Sequence, residues 1–172
     1  MNSTSTTTLL PTTERQQQIE AICLRLLAMR EHSQRELFDK LALRGFTRGE
    51  VESVISRLAE QDWQNDARYA EAYVRQRIAK GYGPVRIAHE LQQRGIRGVD
   101  LQAQAEEQGG WLQLALGVYL AKYDDATLLA PNEWLKRSRF LQQRGFNGET
   151  IKGLLLALNI KLQKCPPLGR SG

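Results

Sequence analysis

The residues able to do chemistry are few and scattered along the chain. His32 and His89 are the only histidines, and neither stands at metal-ligand spacing from a cysteine or a paired carboxylate. His89 is read as a helix-surface residue. Cys23 lies inside an apolar helical pattern and Cys165 in a proline-rich tail, so a disulfide framework is not expected and a reducing compartment is. Gly81-Tyr82-Gly83-Pro84 has the glycine content of a phosphate cradle. It follows a helical pattern, however, and lacks the Gly-Lys-Ser/Thr ending, so it is read as an interhelical turn with Pro84 at the first position of the next helix. Asp62, Glu106-Glu107 and Asp124-Asp125 sit on predicted loops or helix ends with no convergent base or nucleophile. No catalytic residue, metal or cofactor is expected, and the chain is not read as an enzyme.

Charge and aromatic rings offer more. The formal charge is +5 over 172 residues, and it is unevenly spread: net −1 for residues 1–65, +3 for 66–96, −4 for 97–133 and +7 for 134–172. Arg68, Arg75, Arg77, Lys80, Arg86 and Arg94 crowd the second of these segments against Asp66, Glu71 and Glu90. Together with Tyr82, which its flanking glycines mark as an exposed contact, they form the candidate surface for phosphates or an acidic protein face. The competing reading is a solvated helix face. Tyr69 and Tyr73 share a helical stripe with Val74 and Ile78 and are assigned to core. Trp63, Trp111 and Trp134 fall near predicted module boundaries, where packing between modules would bury them. Arg44, Arg94 and Arg144 recur at one place and are read as complements to helix C-termini.

The elements that must position these residues follow from an internal repeat. Leu41-Ala42-Leu43-Arg44-Gly45-Phe46, Leu91-Gln92-Gln93-Arg94-Gly95-Ile96 and Leu141-Gln142-Gln143-Arg144-Gly145-Phe146 align without gaps at a period of 50 residues. A period of that size marks stacked supersecondary units. Each block is a helix stop: glycine takes the left-handed position, and the residue after it contacts the leucine that begins the block. Ser33-Gln34-Arg35-Glu36 and Thr47-Arg48-Gly49-Glu50 read as capping boxes. Val51, Val54, Ile55 and Leu58 form one helical face, echoed by Ile151, Leu154, Leu155 and Leu158. The second repeat is thinner, with Gln104 and Gln108 where apolar residues would stand.

The expected fold is all-α: three tandem three-helix, helix-turn-helix-like repeats of about fifty residues in an elongated, curved array. Helices are predicted over 14–31, 33–44, 48–61, 66–80, 84–94, 98–108, 111–123, 132–144 and 148–161, and nothing reads as a strand. The expected modules are 14–62, 63–109 (the central basic one) and 110–162, between a disordered tail at 1–13 and a flexible one at 163–172. No apolar run reaches the length of a membrane span. The N-terminus lacks the basic and apolar regions of a signal peptide, which places the chain in the cytoplasm.

With Asn65-Asp66-x-Arg68-Tyr69-Ala70-x-x-Tyr73, the basic helix carrying Arg75 and Lys80, Gly81-Tyr82-Gly83-Pro84 and Ile87…Leu91…Gly95-Ile96 in view, the chain resembles the RecX family of bacterial RecA regulators. Ser33-x-x-Glu36-Leu37…Leu41…Gly45-Phe46 and Arg139-Phe140-Leu141…Arg144-Gly145-Phe146 fit the same family, so the resemblance spans roughly residues 20–160. It implies three tandem three-helix repeats. It also implies a monomeric binding protein that lies in the groove of the RecA–DNA filament and suppresses ATP hydrolysis, strand exchange and co-protease activity in recombination, DNA repair and the SOS response. Contact with single- or double-stranded DNA would be weak or made through the filament. Arg137, standing where Leu37 and Ile87 stand in the other repeats, departs from the pattern. The alternative is a helix-turn-helix DNA-binding protein acting without RecA, for which Arg48, Arg97 and Asn147 would have to read bases; each is followed by glycine and looks more like a turn or cap residue.

Overall fold

The computed structural model describes residues 12–163, so nearly all of both predicted tails, and Cys165, lie outside the described residues. The helices are α1 (Thr12–Met29), α2 (Gln34–Ala42), α3 (Arg48–Glu60), α4 (Asp66–Ala79), α5 (Pro84–Gln93), α6 (Leu101–Glu106), α7 (Gly110–Leu120), α8 (Pro131–Arg144) and α9 (Gly148–Ala157). An all-α repeat fold is therefore present. One expectation fails: Leu128–Leu129 (β1) pairs in parallel with Lys161–Leu162 (β2). Two residues are too short to show alternation, so no sequence pattern marks the pair. The helix α6 is also shorter than expected, its length matching the thin apolar face noted above.

The described chain divides into two compact units. One holds the residues up to Ala72 together with Arg94–Ile96, and the other holds Tyr73–Gln93 together with the residues from Arg97 onward. In the first unit, Ile19 and Cys23 of α1, Leu37 and Leu41 of α2, and Val51, Val54, Ile55 and Leu58 of α3 make one buried cluster. A fully buried aliphatic side chain of this kind contributes about 2 kcal/mol of transfer free energy. Arg15 pairs with Glu50 at 2.5 Å and Arg57 with Glu20 at 2.8 Å, tying α1 to α3 outside that core. Burial pushes the Cys23 thiol up to about 11, so it is an inert core residue.

The second unit buries Val74, Ile78, Ile87, Leu91, Ala115, Tyr119, Leu141, Phe146 and Leu154. The strand pair closes it, with the Lys161 N–H donating to the Thr127 carbonyl and the Gln163 N–H to Leu129.

Helix stops are as the repeated block requires. Gly45, Gly95 and Gly145 have φ of 81°, 80° and 93°. The Phe46 N–H reaches the Leu41 carbonyl at 3.3 Å and the Phe146 N–H reaches Leu141 at 3.1 Å, the long bond of a Schellman ending. Helix starts are mixed. Thr47 and Glu50 close as a capping box. Ser33 makes only half of one, because its hydroxyl accepts the Glu36 N–H while the Glu36 carboxylate turns to Arg30, His32 and Tyr69. Glu36 has a better partner in the Arg30 guanidinium than in a backbone amide, since charged donors make the stronger bonds.

Candidate functional site

The seven candidate residues are divided between the two units. Arg68 and Arg94 belong to the first, where they join a polar network built from the Asn65-Asp66-x-Arg68-Tyr69 run. The Asn65 side chain caps α4, accepting the Ala67 N–H at 2.8 Å and the Arg68 N–H at 3.2 Å. An Asp66 oxygen accepts the Gln34 N–H at the start of α2 and the Gln64 side-chain amide. Arg68 bonds Glu31 at 2.8 Å and Asp62 at 2.9 Å, and it also donates to the Asp62 carbonyl. The buried Tyr69 hydroxyl donates to Glu36 at 2.9 Å, and Arg94 stands 3.7 Å from the same carboxylate. Burial alone would raise the Glu36 pKa, but donation from Arg30, Tyr69 and His32 outweighs it and holds the group below the usual carboxylate range. The buried His32 is pushed the other way from charge: burial first, then Arg30, lower its pKa.

Arg75, Arg77, Lys80, Tyr82 and Arg86 lie in the second unit, where Arg77 and Arg86 gather with Tyr73 around Glu90. Arg77 reaches Glu90 at 2.5 Å, the Arg86 Nε at 3.0 Å and the Tyr73 hydroxyl at 2.8 Å. Burial would raise the Glu90 pKa; these three donors more than offset it and keep the carboxylate ionised. Tyr82 is half-buried rather than the exposed contact expected of it. The Arg77 guanidinium lies 4.0 Å from its ring centre, that of Arg86 4.3 Å and that of Arg144 5.5 Å. The turn holds it there: Gly81, at φ 74°, ends α4, the Tyr82 N–H donates to the Arg77 carbonyl at 3.1 Å, and so the residue after the glycine folds back onto Arg77.

From Tyr82 the alternation of cations and rings continues. Arg144 lies 5.2 Å from the Phe140 ring centre and the Lys122 ammonium 3.8 Å from it. Arg137 lies 4.8 Å from the centre of Tyr123, which meets Phe140 edge-on at 5.6 Å. Each such contact is worth about 0.5–1 kcal/mol at an exposed site. A groove of about 550 Å³ runs alongside, with Lys80, Lys122, Phe140 and Arg144 among its lining residues. Arg75 and Lys80 are exposed and make no ion pair among the described residues. The arrangement gathers aromatic rings and guanidinium groups, with Lys80 lining the adjoining groove, and this chemistry suits an acidic protein surface or a phosphate-bearing partner.

Two family models match the chain: that of the first three-helix domain of RecX over residues 21–58 and that of the second over residues 65–102. The regulatory protein RecX of Halorhodospira halophila is 41% identical over 135 residues, covering 78% of this chain and 84% of its own. The chain belongs to the RecX family. The RecX protein of Acidithiobacillus ferrooxidans is 40% identical over 135 residues, covering 78% of this chain and 87% of its own. A crystal structure of RecX from Lactobacillus salivarius superposes with a TM-score of 0.63 at 21% identity over 87% of this chain and 99% of its own, and another of regulatory protein RecX gives 0.69 at 22% over 83% and 74%. These last two show the likeness of fold.

The run that carries the RecX resemblance most specifically is thus largely spent on structure. Charge counted along the sequence missed this, because Glu31, Asp62 and Glu36, which partner Arg68 and Arg94, come from other elements. Of the three arginines read as complements to helix ends, Arg44 donates to the Lys40 carbonyl in the last turn of α2 and Arg144 to the carbonyls of Lys80 and Gly81 just past α4, whereas Arg94 stands by the Glu36 carboxylate. Trp63, expected to pack between modules, is 59% exposed, while Trp111 is buried. Sequence reasoning left out Lys122, Tyr123, Phe140 and Arg137 as partners of the candidate face. The i, i+4 spacings Tyr119–Tyr123 and Phe140–Arg144 were the available signal. Among the described residues no helix is long and apolar enough to cross a membrane, and no group of three His, Cys, Asp or Glu side chains is placed to hold a metal.

Proposed function

We propose that the chain is a modulator, mainly an inhibitor, of the RecA recombinase, acting in the cytoplasm by binding and not by catalysis. The observation that carries this reading is membership of the RecX family at about two-fifths identity over most of the chain. The modules 14–62, 63–109 and 110–162 would lie as a monomer in the groove of the RecA–DNA filament. The filament would then be slowed in ATP hydrolysis, strand exchange and co-protease activity. Support on the protein side comes from the face around Tyr82, where three guanidinium groups gather with one carboxylate, and from Arg75 on α4 and Lys80 just past its end, both exposed. Many weak contacts along a filament add without any one being strong.

The test is a titration of the purified protein, below stoichiometry, into RecA hydrolysing ATP on single-stranded DNA. Hydrolysis should fall, and the protein should co-sediment with filaments. Unchanged hydrolysis with no co-sedimentation removes the proposal. Tight, salt-sensitive binding to free duplex in the absence of RecA would support the helix-turn-helix alternative instead. That alternative has less support, because Asn147 is occupied as a cap, accepting the Thr150 N–H at 2.8 Å.

A further inference from the structure

The three repeats act as controls for one another, and the first departs from the others on its surface. Within the repeated block the second and third repeats carry Gln92-Gln93 and Gln142-Gln143, whereas the first carries Ala42-Leu43. All six positions are exposed, and Leu43 is 89% exposed. Exposed leucine contributes nothing to folding where glutamine serves twice. Ala42 lines a groove of about 520 Å³ in the first unit, with Phe38, Phe46 and Val51 among its other apolar residues. The rest of the lining is mostly charged. Arg35 and Arg48 are exposed and make no ion pair among the described residues; the Arg35 stem rests near Gly95, and the Arg48 guanidinium lies 5.8 Å from the Phe38 ring centre. Of the lining carboxylates, Asp66 is engaged by Gln34 and Gln64, which leaves Asp39.

We propose that this groove docks an acidic, amphipathic segment of a partner protein, its Leu or Phe side chains meeting Phe38 and Ala42 in the groove and Leu43, which follows Ala42 just outside the lining, and its carboxylates meeting Arg35 and Arg48. An apolar floor with cations at the rim is the complement of such a segment. Nucleic acid fits less well, since Leu43 and the apolar lining of Phe38, Ala42 and Phe46 offer phosphate nothing. This surface lies in a different unit from the Tyr82 face, and the proposal does not rest on the RecA reading.

The experiment uses the full chain and a short fluorescein-labelled peptide in which two Leu-Phe pairs are set among Asp and Glu, read by fluorescence anisotropy. Saturable binding is expected, weakened at least about tenfold by Leu43→Glu and by the double substitution Arg35→Glu with Arg48→Glu, a loss of about 1.4 kcal/mol or more. Gln93→Glu, at the equivalent place in the second repeat, should bind as the parent does. All these side chains are exposed, so far-UV circular dichroism and the melting temperature should be unchanged. Absence of saturable binding overturns the proposal, as does equal binding by all variants. A short labelled oligothymidylate whose binding, unlike that of the peptide, is lost with the same substitutions would overturn it in favour of nucleic acid.

Discussion

Substituting Gly83 by alanine tests the account of the Gly-Tyr-Gly-Pro turn. Gly83 does not have a positive φ; what excludes a side chain there is close approach. The Gly83 N–H donates to the Arg144 carbonyl at 2.8 Å, and the Val85 N–H donates to Gly145 at 3.0 Å, so the turn is stitched to the end of α8. A Cβ at Gly83 would stand 2.5 Å from the Phe146 nitrogen and closer still to the Gly145 carbonyl, all of it backbone that cannot rotate away. Both hydrogen bonds would be strained or lost, at about 1 kcal/mol each, and overpacking adds about 1–3 kcal/mol. The stiffer unfolded chain returns about 0.4–1 kcal/mol. The net is a loss of about 2–4 kcal/mol, on the order of 10 °C in melting temperature for a chain of this size. Gly49, with nothing within 4 Å and inside α3, is the control, and alanine there should add about 0.5–1 kcal/mol. Denaturant melts read by tryptophan fluorescence in a Trp63→Phe background would report the unit that holds Trp111 and Trp134. A Gly83→Ala protein as stable as its parent, or more so, refutes the close approach and with it the assignment of this motif to docking α8.

Arg137 is buried, donating to the Tyr119 hydroxyl and Asp124 at 2.8 Å and to Glu133 at 3.0 Å; Asp124 and Glu133 reach solvent but the Tyr119 hydroxyl does not, so Arg137→Ala should lower stability by about 1–3 kcal/mol, and Arg137→Leu, which restores the apolar residue of the other repeats, should lose less in the same melts. Arg75→Glu with Lys80→Glu should weaken inhibition of RecA ATP hydrolysis at unchanged melting temperature, whereas Arg77→Glu should lower the melting temperature as well, because it sets a second carboxylate against Glu90. Acid should destabilise the first unit: Glu36 and Glu50 are both held below their unfolded values, Glu50 at about 2 by Arg15 and then Thr47, so their stabilisation is complete above the unfolded carboxylate pKa and fades as pH falls below about 4.5. Melts from pH 7 to pH 3 should show that slope, and Glu36→Gln should flatten it. Asn159 holds φ 54° at the end of α9, so Asn159→Gly should raise stability by up to about 1 kcal/mol in a thermal melt.

What could be read from the sequence is what the chain writes locally. A Schellman stop spans six residues, so Leu41 through Phe46 declares it without help from elsewhere, and three copies fix the repeat. Val51, Val54, Ile55 and Leu58 are likewise legible, because a helical face is periodic over one element. Partners of charges are not local. Arg68 meets Glu31 across 37 positions, and Arg144 meets the Lys80 carbonyl across 64. The six cations between 66 and 96 therefore looked almost bare, and four of them are paired: Arg68, Arg77, Arg86 and Arg94. Only Arg75 and Lys80 stand as the charge count would have them. Tyr82 misled for a related reason, since flanking glycines mark a turn but do not say which surface the turn is pressed against.

The internal repeat separates folding from recognition in a way that no single copy could. Leu41, Leu91 and Leu141 are buried in all three repeats, and Gly45, Gly95 and Gly145 take the same left-handed backbone; identity at these places is explained by helix termination alone. Recognition cannot reside there, because a partner that read only the shared features would engage every repeat alike. It must be carried by positions where the copies differ while the backbone does not. Arg137 in place of Leu37 and Ile87 is one such difference, turned inward to hold Asp124 and Glu133. Ala42-Leu43 in place of two Gln-Gln pairs is another, turned outward. The Tyr82 turn is a third: only at this junction of the three do two glycines and a proline bring a tyrosine between the arginines of neighbouring helices. A partner's point of attachment is thus to be sought on the first unit's groove and on the Tyr82 face, where equivalent backbones carry unlike side chains.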